Sequence, residues 1–156
     1  MNILMITIVA ATDAKHFDKL SALKALIESG DASKSVKVQG DCQDEKLDLI
    51  LELIVHAADI SNPAKAYLNG PYEIWCEKIM EEFYALGDKE RRFGLPVTEI
   101  FERSKPVKDI QIGFTKFFVR PLFAALGNIE GLQVGNALNH IDQNLEYWDS
   151  LEISKK

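Results

Sequence analysis

Apolar side chains recur at steps of three and four residues along most of this sequence, and that spacing constrains the fold more than any other feature. It places apolar groups on one face of an α-helix, whereas a half-buried strand alternates at every second residue. The pattern predicts helices over Ile3 to Ile27, over Tyr72 to Leu86 and over roughly Val134 to Leu151, with another that Asp44 caps and that reaches Ala58. Because we find no convincing strand pattern or repeat, the sequence predicts an all-α, multi-helix bundle.

Glycine and proline mark the predicted ends of these helices. Gly30 closes the first helix, and the polar segment from Ser29 to Gln43 is predicted to be a loop. A turn at Asn69 to Pro71 precedes the third helix, and the stretch "GDKERRFGLP" is predicted to end it. Pro121 lies within "KDIQIGFTKFFVRPLFAALG" and must kink or interrupt a helix there, because proline lacks a backbone N–H group and its ring crowds the preceding turn.

Each predicted helix has a set of apolar positions that we expect to face inward. On the second helix the inward positions are Leu47, Ile50, Leu51, Ile54, Ala57 and Ala58. On the third they are Ile74, Trp75, Ile79, Met80 and Phe83. On the last they are Leu138, Ile141, Leu145 and Trp148.

Size and charge exclude some classes of protein. The 156 residues suffice for one domain, and a net charge of −6 argues against a protein that wraps nucleic acid. The two cysteines, Cys42 and Cys76, have no metal-binding or disulfide spacing, so we expect a reducing, cytoplasmic setting. The apolar start of the chain, "MNILMITIVAATD", lacks the basic region of a signal peptide and is too short to span a bilayer.

Few polar residues stand out as candidates for chemistry. His56 and Asp59 are three residues apart on one helical face, a spacing that suits metal ligands but favours a structural role when taken alone. Asp59 falls where the core is expected, so it should need a partner. Gln111 is either partly exposed or aimed into a pocket, and the first is favoured from its neighbours alone. His16 and His140 have no obvious partners, and His140 is expected to be partly exposed.

Four segments in order carry a more specific signal, namely "ATDAKHF", "HAADISNPAK", "WCEKIMEEFYALGDKERRFGLP" and "QIGFTKFFVRPLF". Together they resemble the catalytic domain of the class I 3′,5′-cyclic-nucleotide phosphodiesterases, over nearly the whole chain. The resemblance implies hydrolysis of cAMP and/or cGMP to 5′-nucleoside monophosphates. It also implies divalent metals as cofactors, Zn together with Mg or Mn, which activate a bridging hydroxide between them.

The resemblance assigns roles to individual residues. Asp59 is similar to a metal ligand of the family, whereas His56 occupies a position beside the site that is not a ligand. Gln111 is similar to the glutamine that hydrogen-bonds the purine edge, and Phe114 to the ring that stacks on the base. Four further residues resemble the lining of the same substrate pocket: Asn62, Tyr72, Ile79 and Met80.

The chain also departs from the family. The general-acid histidine and three further metal ligands come from a first half that includes an HNxxHAxD-type segment, and no such segment occurs here. The chain therefore resembles the C-terminal half of the catalytic domain over residues 1–156, has no catalytic residue of its own, and is expected to be inactive alone. Two extra residues lie between Asn62 and Trp75 relative to the family pattern, which weakens the assignment of Tyr72.

Two consequences remain open at this point. A half domain should associate with the missing N-terminal half or with itself, through an apolar face on the helix from Ile3 to Val9. The alternative is a non-catalytic helical interaction module that retains the scaffold. The expected partners are thus a cyclic nucleotide and the rest of the catalytic domain, with no nucleic acid and no membrane span.

Overall fold

A computed structural model describes residues 3–30, 45–67 and 70–151. In the first range the side chains are described from Lys15 onward, and in the second from Lys46 onward. These residues form no strand, and their six α-helices confirm the all-α prediction. In chain order the helices are α1 Ile3–Glu28, α2 Glu45–Asp59, α3 Pro71–Arg92, α4 Val107–Phe114, α5 Arg120–Leu126 and α6 Gly135–Ser150. Among the residues described, no helix combines the length and apolar character needed to cross a bilayer.

Helix α1 begins and ends close to the predicted residues. Gly30 follows it with φ +72°, a left-handed conformation that glycine adopts without steric cost. The Ser29 N–H donates to the Ala25 carbonyl at 3.0 Å, so the last turn is closed by backbone hydrogen bonds. The predicted cap Asp44, the predicted loop up to Gln43, and the side chains from Ile3 to Val9 lie outside what the structure describes.

The buried face of α2 is rotated from the predicted one. Ile50 and Ala57 are buried as expected, but Leu51 is 51% exposed and Ala58 is also exposed, so the prediction is wrong for these two. Leu53 is fully buried instead. Helix α2 packs on α1, and the buried positions 50, 53, 57 and 60 are spaced by three or four residues. The spacing is the predicted one, but the buried face is rotated around the helix relative to the predicted face.

Helix α3 continues past the position where the sequence predicted a break. Gly87 lies within it, where the backbone of Phe101 approaches closely: a methyl group on Gly87 would lie 2.5 Å from the carbonyl oxygen of Phe101. The helix ends instead near Gly94, which has φ +70°. The presence of glycine at position 87 is therefore explained by the close approach of the Phe101 backbone and not by the end of the helix.

The inner face of α3 also differs from the prediction. Tyr72, Cys76 and Met80 are buried at successive steps of four residues. Ile74 and Trp75 were predicted to face inward, but both are exposed. The helix therefore buries the row Tyr72, Cys76 and Met80 and leaves other apolar residues exposed.

The Pro121 prediction is confirmed in a specific form. Helix α4 passes into a π-helical segment, Thr115–Val119, before α5 begins at Arg120. A proline in the first turn of α5 cannot donate a hydrogen bond to the preceding turn, and the α-helix is interrupted there by the π segment. In α6, Ile141, Leu145 and Trp148 are buried as predicted.

The chain divides into two compact units. The first unit comprises residues 1–60 with 121–135, and the second comprises residues 61–120 with 136–156. Within the first unit, α1 packs on α2. Within the second, α3 packs against the 3₁₀ turns Asn62–Ala64 and Glu99–Phe101.

Candidate functional site

A buried chain of hydrogen bonds links three helices of the second unit. The Trp148 indole N–H donates to the Tyr72 hydroxyl at 3.1 Å, and that hydroxyl donates to Oε1 of Gln111 at 3.1 Å. Tyr72 has no exposed surface, and Gln111 is only 5% exposed. Because an indole N–H can only donate, the direction of the chain starts from Trp148 and leads towards the amide. We call these three residues the relay.

The relay corrects one sequence-based preference. Gln111 was favoured as partly exposed, but it is buried, because the neighbouring Tyr72 hydroxyl satisfies its carbonyl oxygen. Burial raises the pKa of Tyr72 to about 12, although the hydrogen bond from Trp148 opposes that rise. The hydroxyl therefore keeps its proton near neutral pH and remains a donor to Gln111.

An apolar cluster surrounds the relay on one side. It contains Tyr72, Cys76 and Trp148, and partly buried neighbours pack against them: Tyr67, Val107, Ile112 and Tyr147. Burial raises the pKa of the Cys76 thiol to about 12, with the Glu77 carboxylate adding to the rise. Cys76 is therefore an uncharged packing residue rather than a nucleophile.

The other predicted pocket residues lie on the same elements. Phe114 is three residues beyond Gln111 and stacks on Phe118, with ring centroids 5.7 Å apart and planes at 24°. Ile79 and Met80 lie on α3 about two turns after Tyr72, and Met80 is buried whereas Ile79 is half-buried. The structure thus joins Tyr72 to Gln111 directly, and it gives Phe114 an aromatic neighbour.

Asn62 begins a short 3₁₀ turn that a buried asparagine of α6 holds in place. The Asn144 amide donates to the carbonyl oxygens of Pro63 at 2.8 Å and Lys65 at 2.7 Å. His140 is half-buried, as predicted, but its Nδ1 contacts the Ala64 carbonyl at 3.3 Å, so the expectation that it lacks an obvious partner was wrong. Sequence reasoning missed Asn144, although a polar residue beside Leu145 within the apolar row of α6 was a usable signal.

The first unit contains a buried pair of histidines. Nδ1 of His16 lies 2.9 Å from Nε2 of His56, and both rings are buried. Burial lowers the pKa of His16, and the nearby His56 lowers it further. The expectation that His16 lacks an obvious partner was wrong. Its spacing of four and seven residues before the buried Leu20 and Leu23 would have placed it on the inner face.

Asp59 is exposed at the end of α2, so the expectation that it falls in the core was wrong, whereas its role as a metal ligand stays a prediction. Within the described residues, no group of three or more His, Cys, Asp and Glu side chains is arranged to hold a metal ion. A zinc centre commonly takes three or four protein ligands. The described residues therefore do not fit a complete metal centre, and Asp59 offers a single carboxylate.

The geometry defines an all-helical protein with a buried glutamine held by a fixed donor. The sequence matches the 3′5′-cyclic nucleotide phosphodiesterase family over residues 1–141. The chain therefore belongs to that family.

Individual relatives and one solved structure are similar to this chain over most of its length. It is 31% identical to the 3′,5′-cyclic-AMP phosphodiesterase isoform F of Drosophila melanogaster, across 95% of this chain and 22% of the relative. It is 30% identical to 3′,5′-cyclic-AMP phosphodiesterase 4C of Rattus norvegicus, across 94% of this chain and 27% of the relative. The structure of LmjPDEB1 in complex with IBMX is similar with a TM-score of 0.76 and 25% identity, covering 91% of this chain and 40% of that one. The chain thus spans about a quarter of the length of these curated relatives.

Proposed function

We propose that this chain supplies the base-binding part of a cytoplasmic catalytic domain that hydrolyses 3′,5′-cyclic nucleotides, cAMP and/or cGMP, to 5′-nucleoside monophosphates. The observation that carries the proposal is the hydrogen bond from Tyr72 to Gln111. An amide presents both a donor and an acceptor, as a purine edge does, and it reads that edge well only when it is held in one orientation. Family membership and the names of the relatives support the same substrate class.

Other residues would complete the base site. Phe114 offers a ring face for stacking beside the amide, and its contact with Phe118 restrains that ring. Ile79 and Met80 would close the opposite side of the slot. Asn62, on the turn that Asn144 anchors, would line the same pocket.

The metals of this proposal are Zn with Mg or Mn, held in a complete catalytic domain to which Asp59 contributes one carboxylate. The chain itself should not hydrolyse nucleotides. His16 and His56 hydrogen-bond to each other, and His140 contacts a backbone carbonyl, so these three histidines have structural contacts. The proposed partners are therefore a cyclic nucleotide and the residues of the catalytic domain that bear an HNxxHAxD-type segment.

Nucleotide binding to the 156-residue chain tests the proposal. Titration calorimetry with cAMP and with cGMP should give saturable binding of at least one nucleotide. Gln111→Ala should weaken it about tenfold or more, because a lost base contact leaves polar groups unmatched. Gln143→Ala is the matched control, since Gln143 is an exposed glutamine of α6.

Three results would decide against parts of the proposal. The absence of binding by the folded chain would contradict the base site. Hydrolysis by the isolated chain with Zn and Mg would contradict the need for further ligands. A defined complex with one protein partner, formed by a chain that binds no nucleotide, would favour the non-catalytic interaction module.

A further inference from the structure

Tyr67 lies outside the relay and contacts two of its three residues, Tyr72 and Trp148. It lies between the Asn62–Ala64 turn and α3. Its ring centroid is 5.3 Å from that of Tyr72 and 5.3 Å from that of Trp148, with planes at 83° and 75°. It also lies 4.3 Å from the Tyr147 ring. Edge-to-face contacts of this kind are directional and stabilise one ring arrangement.

Two backbone contacts lie next to Tyr67. The Gly70 N–H donates to the Tyr67 carbonyl at 3.1 Å. A methyl group at position 70 would lie 2.0 Å from the carbonyl oxygen of Ala66, so only glycine allows the chain to return this closely. Gly70 immediately precedes α3, where Tyr72 is the second residue. Backbone contacts therefore lie next to Tyr67 at Ala66 and Gly70, and the Tyr67 ring contacts Tyr72.

The position of Tyr67 matters because the relay can fail if water reaches it. A water molecule at the Tyr72 hydroxyl would compete with Oε1 of Gln111 for its hydrogen. The amide would then lose the bond that distinguishes its oxygen from its nitrogen, and the two orientations would approach each other in energy. The Tyr67 ring contacts both Tyr72 and Trp148, so it occupies space beside the relay.

We infer that Tyr67 is a positioning residue for Gln111, which covers the relay from Trp148 through Tyr72 and so keeps the amide in one orientation for reading the base. The role of the Gln111 orientation in reading the base rests on the proposed function. The covering role of Tyr67 does not, because it concerns contacts within the second unit alone. This separation allows the two claims to be tested by different measurements on the same protein.

Nuclear magnetic resonance on the ¹⁵N-labelled 156-residue chain tests the covering role. The chain has two tryptophans, and the exposed Trp75 is an internal reference for the buried Trp148. In Tyr67→Ser, the Trp148 indole proton should exchange with water about fivefold faster or more, and the Gln111 side-chain amide signals should shift. Tyr67→Phe keeps the ring and should retain the wild-type exchange rate. Tyr67→Leu replaces Tyr67→Ser if the serine variant does not fold.

Tyr84→Ser is the matched control, because Tyr84 is a half-buried tyrosine of α3 that contacts Arg103 instead. Unchanged Trp148 exchange and unchanged Gln111 signals in Tyr67→Ser, or in Tyr67→Leu where it replaces the serine variant, would overturn the inference. Equal changes in Tyr84→Ser would also overturn it, because the effect would then be general loosening.

Nucleotide titrations test whether Tyr67 affects base recognition through Gln111. The ratio of the cAMP and cGMP dissociation constants should change about threefold or more in Tyr67→Ser and stay constant in Tyr84→Ser. If the wild-type chain binds neither nucleotide while the exchange results are as expected, the proposed function fails and the covering role is supported. If the ratio is constant while exchange accelerates, the covering role is supported and the link to base reading is overturned.

Discussion

The two units bury different kinds of polar cluster. In the first unit, His16 and His56 meet through ring nitrogens that can each donate or accept, so the direction of their hydrogen bond depends on tautomer and charge. In the second unit, the relay starts from an indole that can only donate. Because the indole can only donate, it fixes the direction of the next hydrogen bond in the relay. In the histidine pair, the direction of the hydrogen bond depends on pH. The comparison predicts that the second unit is structurally insensitive to pH near neutrality and that the first is not.

Removing the fixed donor should have the largest effect. Trp148→Ala deletes a buried ring and leaves a cavity, so the free energy of unfolding should fall by about 3–5 kcal/mol. Urea denaturation followed by circular dichroism measures this loss. The control is Trp75→Ala, which removes an exposed ring and should cost less than about 1 kcal/mol. Equal losses in the two variants would show that Trp148 does not anchor the second unit.

Removing a hydrogen-bonding group from the relay while keeping its packing should lower the free energy of unfolding by a smaller amount. Tyr72→Phe retains the ring but leaves the Trp148 N–H and Oε1 of Gln111 without their buried partner, at a cost of about 1–3 kcal/mol. The same urea titration measures it, with Tyr84→Phe as the control on α3. A neutral Tyr72→Phe would indicate that water replaces the hydroxyl, which would contradict a dry relay.

Local periodicity explains why the helices could be predicted and the site could not. Ile3 to Ile27 was placed as a helix because the signal repeats within one turn. The relay joins residues 39 and 76 positions apart, and the histidine pair joins residues 40 positions apart. No pattern within a helix encodes such pairings. Residue types alone therefore favoured an exposed Gln111, and only the family resemblance directed it to a pocket.

The register errors have a related cause. Leu51 and Trp75 are apolar and lie near an inward-facing row, yet both are exposed. A helix has more apolar residues than its contact face can bury, and neighbouring elements decide which of them it buries. Gly87 was taken as a helix end for the same reason, since the backbone of Phe101 that requires a glycine there lies 14 residues away in sequence.

The histidine pair should make stability depend on pH. Because the pKa of His16 is lowered in the folded state, the unfolded chain binds more protons between that lowered pKa and the ordinary value of 6.5. Stability is therefore greatest above pH 6.5 and falls as the pH drops towards the folded-state pKa. The slope from this group is at most about 1.4 kcal/mol per pH unit.

Urea midpoints at pH 7.5, 6.5 and 5.5 measure this dependence. His16→Gln should flatten the curve, whereas His140→Gln, which changes a half-buried histidine of the second unit, should leave it steep. The groups around His16 include His56, the Phe17 ring and the Lys19–Glu52 ion pair one turn away. A wild-type curve that is flat over this range would contradict a lowered pKa at His16.

An exposed ion pair should have the smallest effect, which sharpens the contrast with both buried clusters. Arg120 donates to the Asp142 carboxylate through Nε at 2.8 Å and Nη2 at 3.3 Å, on the surface of the second unit. Water already solvates both charges, so Asp142→Asn should cost less than about 1 kcal/mol. The loss should vanish in 1 M salt, where the screening length is about 3 Å.

Salt dependence then separates the two kinds of interaction. Urea midpoints of Asp142→Asn and of Tyr72→Phe, each compared with wild type at 0.05 M and 1 M NaCl, provide the measurement. The difference for Asp142→Asn should disappear at high salt, while that for Tyr72→Phe should persist, because no mobile ion reaches a side chain with no exposed surface. A salt-sensitive Tyr72→Phe difference would mean that solvent enters the relay.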